Sequence, residues 1–366
     1  MKNHIFQLEH DHNRTSKQKA LFILKIALAL TVAFAISVLM GKAVRGFVKP
    51  PDIPQDEAPN LDDFAFLPPQ GEEEDMHIGG GLHAPEGFTA DDRKEQFYTF
   101  LIIGMDEGVN TDTIMVASYD SLNNEANIIS IPRDSLVNVK RTVKKINAAY
   151  PAGTLHGGGR EGGIAQLQRE IKTIVGFVPD FTICIDLNAF VRIVDAINGI
   201  TVDIPMDLKY DDPMQDLHID IKKGEQRLDG ETALKFTRYR KGNNSNQTIT
   251  DYQRIGHQQT VVKAVLAELV KPANIVKIPE FIRIVNEYVY SDISAGNMLW
   301  FASQLNAIRG TEALSMYTIP TIGTSGLPMW YEYLDRTGIV ELVNRTVNPY
   351  RLDIEAKDLD IIIESD

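Results

Sequence analysis

Carboxylates and arginines recur where apolar runs end. Gly104-Met105-Asp106 follows the apolar run 97–103, and Asp112 comes six residues later in Asn110-Thr111-Asp112-Thr113. Two carboxylates at the mouths of adjacent strands could hold one Mg²⁺ (or Mn²⁺), which takes oxygen ligands and phosphate partners. Turn chemistry is the simpler account of either Asp taken alone. Arg133 ends another apolar run, in Ile131-Pro132-Arg133-Asp134-Ser135. Arg238 and Arg240 flank Tyr239 and reach the same side if the segment is extended. Asp251, Arg254 and Gln258 are spaced i, i+3, i+7 along one face of a helix, with Arg254 at the rim of its apolar stripe. Each arginine alone reads as a solvated charge or a surface ion pair. Four together with two carboxylates suit a pyrophosphate, because guanidinium groups grip phosphate oxygens in pairs and would stabilise charge on a leaving phosphate.

The elements that must position these residues alternate. Short apolar runs at 97–103, 113–119, 126–131, 181–185 and 200–204 read as strands, the second and third joined by an Asn-rich turn. Helical periodicity covers 146–150, 162–175, 187–196, 230–236 and 251–270. Residues 271–310 add helices, and 311–366 read as strands and loops closing the domain. This rhythm predicts an α/β/α layered domain around a mixed sheet. The glycines at 157–159 and 162–163 lack the Lys-Ser/Thr of a P-loop and read as a flexible loop before a helix.

Charge divides the chain further. The net charge is −13 over 366 residues, which argues against nucleic acid as the partner. The single cysteine, Cys184, excludes an internal disulfide framework. Residues 1–49 carry a net +6, residues 50–95 a net −11 and residues 96–366 a net −8. The basic block contains the apolar run 20–40, whose only charge is Lys25. As a helix it would span about 31 Å, enough for the hydrocarbon core of a bilayer. It ends without a small-x-small cleavage site, which favours an uncleaved anchor. The flanking charges weakly favour a cytoplasmic N-terminus. The acidic, Pro- and Gly-rich stretch that follows cannot bury enough apolar surface to offset its ordering entropy, and reads as a tether. The expected organisation is a cytoplasmic tail over 1–19, one transmembrane helix over 20–40, a flexible linker over 41–96, the domain over 97–310, and strands and loops over 311–366 packed on that domain.

These clusters, in this order, resemble the LytR-CpsA-Psr family of bacterial cell-envelope proteins. The resemblance rests on GMD (104–106), TDT (111–113), SIPRDS (130–135), KINAAY (145–150), the stretch 181–205, YDDP (210–213), the stretch 217–240 ending FTRYR, and DYQRIGHQQ (251–259). It implies a single-pass membrane protein with an extracytoplasmic α/β/α domain whose apolar tunnel holds a polyprenyl chain. The implied reaction is a Mg²⁺-assisted phosphotransfer that moves a glycopolymer, such as wall teichoic acid or capsule, from undecaprenyl pyrophosphate onto peptidoglycan. By position, Asp106 and Asp112 would be the metal acids, with Asp112 also serving as a base or orienting the acceptor. Arg133, Arg238, Arg240 and Arg254 would grip the pyrophosphate. Asp134, Asn147, Asp251 and Gln258 would support them.

The chain departs from the family pattern at Gly108, Asn110 and His257, each standing where a basic residue is usual. Arg141, Lys144, Lys145 and Arg160 are near enough in sequence to substitute. The departures motivate two alternatives: a polyprenyl-phosphate-binding regulator without turnover, and a lipid pyrophosphatase at the same site. Phe181, Ile183, Leu187, Phe190, Val194 and Ile197 could line the tunnel, although ordinary core accounts for each.

Overall fold

The run FYTFLIIGM is apolar at nearly every position, and it forms β1 (Phe97–Met105), a strand in the middle of a six-stranded sheet. β2 (Thr111–Asp120) and β3 (Glu125–Ile131) follow as antiparallel neighbours, joined by a turn in which Asp120 accepts from the backbone of Leu122 and Asn123. β4 (Phe181–Ile185) lies parallel to β1 on its other side. The computed structural model describes residues 49–53, 84–106, 110–214, 217–243, 248–275, 277–304, 313–325 and 329–362. The described residues from Pro50 onward belong to one compact unit. The tail, the anchor, most of the linker and Gly108 lie outside the described residues. Among those described, no helix is long and apolar enough to cross a membrane.

Strand periodicity divides the core into two layers. Leu101, Ile103, Val116, Ile129 and Ile131 face one way, and Phe100, Ile102, Met115, Ala117 and Ile128 face the other. α1 (Ala149–Gly153) and α2 (Gly159–Val175) lead to the first layer, where Leu167, Ile171 and Ile174 are fully buried. α3 (Leu187–Ala196), capped by the Asp186 side chain on Ala189 N, packs on α4 (Gly230–Arg238), itself capped by Asp229 on Thr232 N. α5 (Asp251–Leu269) begins with a capping box of Thr250 and Gln253 and lays Val262 and Leu266 on the second layer. α6 (Ile278–Tyr288) and α7 (Ala295–Gln304) lie either side of the short edge strand Tyr290–Ser291.

Three features correct the sequence reading. The segment between residues 206 and 229 contains strands that its short polar–apolar alternation did not reveal. β5 (Ile200–Ile204) pairs with β8 (Gly224–Leu228), and β6 (Leu208–Asp212) pairs with β7 (Leu217–Ile221). Residues 311–366 are more than strands and loops. After β9 (Tyr290–Ser291), β10 (Leu314–Thr318) joins the main sheet beside β3, β11 (Thr321–Ser325) pairs with β12 (Tyr331–Leu334), and α8 (Arg336–Thr346) buries Ile339, Leu342 and Val343 in the first layer. The glycines at 157–159 do not form an open loop: residues 154–158 make a π-helical turn joining α1 to α2. The end of the linker is also engaged. Arg93 pairs with Asp180 at 2.8 Å, and Lys94 N donates to Pro349 O at 2.8 Å, so the chain meets the domain before residue 97.

Candidate active site

Asp112 is aimed by a β-bulge. Gly104 opposes Thr113 and Met105 opposes Thr111, so Asp112 is the extra residue of β2. Gly104 permits this closeness: a Cβ there would stand 2.9 Å from Thr113 Cβ. Pro132 ends β3, and the next residue, Arg133, donates from Nη1 to Asp112 Oδ1 at 2.6 Å. On the first turn of α5, Arg254 lies 2.8 Å from Asp251 and 3.9 Å from the same Asp112 oxygen. Arg254 is only 4% exposed.

Two guanidinium groups thus converge on one carboxylate oxygen. Burial pushes the Arg254 guanidinium below its ordinary value; Asp251 opposes the shift, and Arg133 and Arg240 add to it by repulsion. Burial also works against the Arg133 charge, but its bond to Asp112 prevails and holds it above the ordinary value. Both stay cationic, as arginines do. Among the described residues, Arg133 Nε, Arg254 Nε and Asp251 Oδ2 are buried without a hydrogen-bond partner. Buried polar atoms are seldom left so, and two unsatisfied guanidinium donors side by side suit an anion with several oxygens.

The cluster borders a cavity of about 540 Å³ whose walls include Asp134, Arg240, Asp251 and Arg254. Asp134 is held by Lys145 at 2.8 Å. Arg240 is exposed, and its neighbour Tyr239 is fully buried beneath it. Arg238 ends α4 and is not part of this wall. Gln258 is buried one turn along α5 from Arg254. Asn147 contributes through its backbone: its N–H donates to Arg133 O at 3.2 Å and its carbonyl accepts from the Thr111 hydroxyl.

Asp106 follows β1 beside the bulge. Its carboxylate accepts from the backbone and side chain of Asn110 and lines a second cavity, of about 340 Å³, with Arg160 and Tyr290. Among the described residues no three His, Cys, Asp or Glu side chains gather as a metal cage. The donors at the bulge are nevertheless all oxygen, and both guanidinium contacts to Asp112 fall on Oδ1, with Oδ2 as the remaining donor. A Mg²⁺ here would take one or two carboxylates and complete its shell with phosphate and water, as that ion commonly does.

Of the suggested basic substitutes, Lys145 reaches the cavity wall through Asp134, whereas the Arg141 and Arg160 side chains are engaged elsewhere. Arg141 forms a two-pronged pair with the buried Glu170, and its guanidinium also donates to Val143 O and Lys145 O at 2.6 Å. Arg160 lies over the Tyr290 ring in the second cavity. The backbone N–H of Lys144 donates to the Tyr331 hydroxyl. His257 is buried and stacked on Phe236, 4.3 Å between ring centroids. Burial holds its pKa below the ordinary value, against the opposing bond to the Phe236 carbonyl. It is therefore a neutral core residue at pH 7, not a cation of the clamp. Among the candidate tunnel residues, Phe181 stacks on Phe100, while Val194 and Ile197 belong to the core of the smaller sheets.

Sequence reasoning missed the C-terminal wall. Tyr252 on α5 and Thr324, Trp330 and Glu332 on the β11–β12 hairpin complete the cavity. The available signal was parity: in Tyr331-Glu332-Tyr333-Leu334 the buried positions are Glu332 and Leu334, a carboxylate where a strand buries its core face.

The mixed sheet and the arginine–carboxylate cluster at this cavity go with a match of the chain to a known family. Residues 73–346 match the LytR_cpsA_psr family, and the chain belongs to it. It is 26% identical over 230 residues to the regulatory protein MsrR of Staphylococcus aureus, covering 61% of this chain and 64% of that protein. It is 24% identical over 258 residues to the polyisoprenyl-teichoic acid–peptidoglycan teichoic acid transferase TagU of Bacillus subtilis, covering 68% of this chain and 76% of that one. The crystal structure of Bacillus subtilis TagV shares the fold, with a TM-score of 0.57 at 23% identity over 74% of this chain and all of that chain.

Proposed function

We propose that this protein is a membrane-anchored phosphotransferase that moves a glycopolymer from an undecaprenyl-pyrophosphate carrier onto peptidoglycan. The observation that carries the reading is the Arg133–Asp112–Arg254–Asp251 cluster, with buried unsatisfied guanidinium nitrogens at the edge of a cavity. In this reading the pyrophosphate lies against Arg133, Arg240 and Arg254, and Asp112 and Asp251 keep those cations in place before it arrives. Asn147 holds the backbone of Arg133, buried Gln258 supports Arg254 from the next turn of α5, and Arg238 meets the substrate beyond the cavity wall. A Mg²⁺ held by Asp106 and Asp112 would neutralise charge on the phosphates. Arginines aimed at the leaving phosphate stabilise the transition state without reorganising. The anchor over 20–40 would place the domain outside the cell, within reach of both lipid carrier and wall. TagU and TagV are both named as polyisoprenyl-teichoic acid–peptidoglycan teichoic acid transferases, which supports this class of reaction.

The neutral, buried His257 and the Asn110 that binds Asp106 favour one rival, a regulator that binds the lipid without turnover. One assay separates the readings. The full-length protein in detergent is given Mg²⁺, a polyprenyl-pyrophosphate glycan and peptidoglycan. Transfer predicts glycan linked to peptidoglycan and released lipid monophosphate. Arg133→Ala and Arg254→Ala should each lower the rate about tenfold to a hundredfold, the loss of a charged hydrogen bond. Lipid binding with no product would establish the regulator, release without linkage the pyrophosphatase, and wild-type rates in both variants would remove the assigned site.

A further inference from the structure

The cavity that Arg240 and Arg254 line also carries residues of different chemistry. Trp330 and Tyr252 stand at its rim, 54% and 43% exposed, two large aromatic surfaces that the fold itself leaves uncovered. The Tyr252 hydroxyl shares a hydrogen bond with Thr321 Oγ1, which fixes the ring. Trp330, Tyr252 and the carboxylate-bearing Glu332 line the same cavity. Glu332 is 6% exposed, and its backbone is pinned between Asp134 O and Leu136 N at 3.0 and 2.9 Å.

The other carboxylates near the phosphate site are each tied to a cation: Asp112 to Arg133 at 2.6 Å, Asp134 to Lys145 at 2.8 Å and Asp251 to Arg254 at 2.8 Å. Glu332 differs: among the described residues it has no ion-pair partner. Burial raises its pKa, the polar hydrogens of Trp330 and Tyr252 oppose this, and the charges of Asp251 and Asp134 add to it. Arg240 and Arg254 are the cations that line the same cavity.

We propose that the β11–β12 hairpin builds the acceptor subsite: a pyranose ring of the acceptor glycan lies on Trp330 and Tyr252, and Glu332 accepts the proton of the attacking hydroxyl. This rests on the transferase reading above. Rigid aromatic faces beside a few fixed polar groups are suited to a ring with one apolar face and a polar edge. The sugar oxygen forms a bond to the phosphorus nearer the glycopolymer. The bond from that phosphorus to the bridging oxygen breaks, and the electron pair leaves with the lipid monophosphate. The proton ends on Glu332, and no further reactant is needed.

The chain contains two tryptophans, and Trp300 is only 4% exposed, so a ligand-induced emission change reports Trp330. The full-length protein in detergent, titrated with an N-acetylglucosamine–N-acetylmuramic acid tetrasaccharide, should give a saturable emission change. Glu332→Gln should lower kcat about a hundredfold, the scale of a lost general base, with KM for the acceptor little changed. It should also abolish the fall in rate toward acidic pH, since the base works only when ionised. Trp330→Ala should instead raise the acceptor KM about tenfold, with lipid binding by native mass spectrometry unchanged. No emission change in the wild type, or a wild-type kcat in Glu332→Gln, would overturn the proposal. An emission response without turnover on any donor would uphold the sugar site while rejecting the transferase reading.

Discussion

Arg254 is a cation kept in a place where burial and two other guanidinium groups oppose its charge, and only Asp251 and Asp112 reconcile it to that place. Its i, i+3 relation to Asp251 was legible from spacing, because a helix period needs no tertiary information. The opposite holds for His257, whose neighbours in sequence suggest a phosphate ligand while its ring faces Phe236 in the core. Its pKa is lowered on folding, so the unfolded chain binds the proton more readily. Its contribution to stability is therefore present above the unfolded value near 6.5 and is lost as pH falls through that range. Urea midpoints of the wild type should fall between pH 7 and pH 5, by at most about 1.4 kcal/mol per pH unit from this group. His257→Gln should flatten that part of the profile, and an unchanged slope would show that the ring is not the titrating group.

At the scale of elements, the bulge at the end of β1 and β2 decides where Asp112 points. Gly104→Ala would press a methyl group against Thr113, costing about 1–3 kcal/mol by overpacking and displacing the bulge. Adding Thr113→Gly removes the atom that is struck, so the double variant should recover part of the loss in a urea melt. Strict additivity of the two changes would mean that the contact does not govern the bulge. β1 to β5 and the long helix α5 were legible because their apolar runs or periods are long or sharply bounded. α8 was not. Its Gly338, Ile339, Val340, Val343 and Thr346 are weak helix formers, and the helix rests on burial in the core and on Asp335 capping Gly338 N. The short strands β6 to β8 escaped for a related reason, since a five-residue alternation declares itself only when a partner strand pairs with it.

For the whole molecule, the uneven charge is the organising feature: a basic block around the apolar run 20–40, an acidic stretch after it, and a mildly acidic domain with arginines gathered at one end. An anionic linker would be repelled from an anionic membrane surface and would hold the domain off it. We expect the full-length chain to remain in the membrane fraction after an alkaline carbonate wash, and a chain beginning at Pro50 to be released into the soluble fraction. Release of the full-length chain by carbonate would reject the anchor.

Local patterns in the chain determined which chemical groups were at hand, the alternation of strands and helices, and the family resemblance, because periodicity and short motifs are properties of neighbours in sequence. Tertiary structure decided which of those groups meet. Strand order and the bulge turned Asp106 toward one cavity and Asp112 toward the arginines, and the hairpin after β10 returned Glu332 and Trp330 to a site whose other walls lie far earlier in the chain. Convergence of that kind depends on sheet topology and register, which no local spacing encodes.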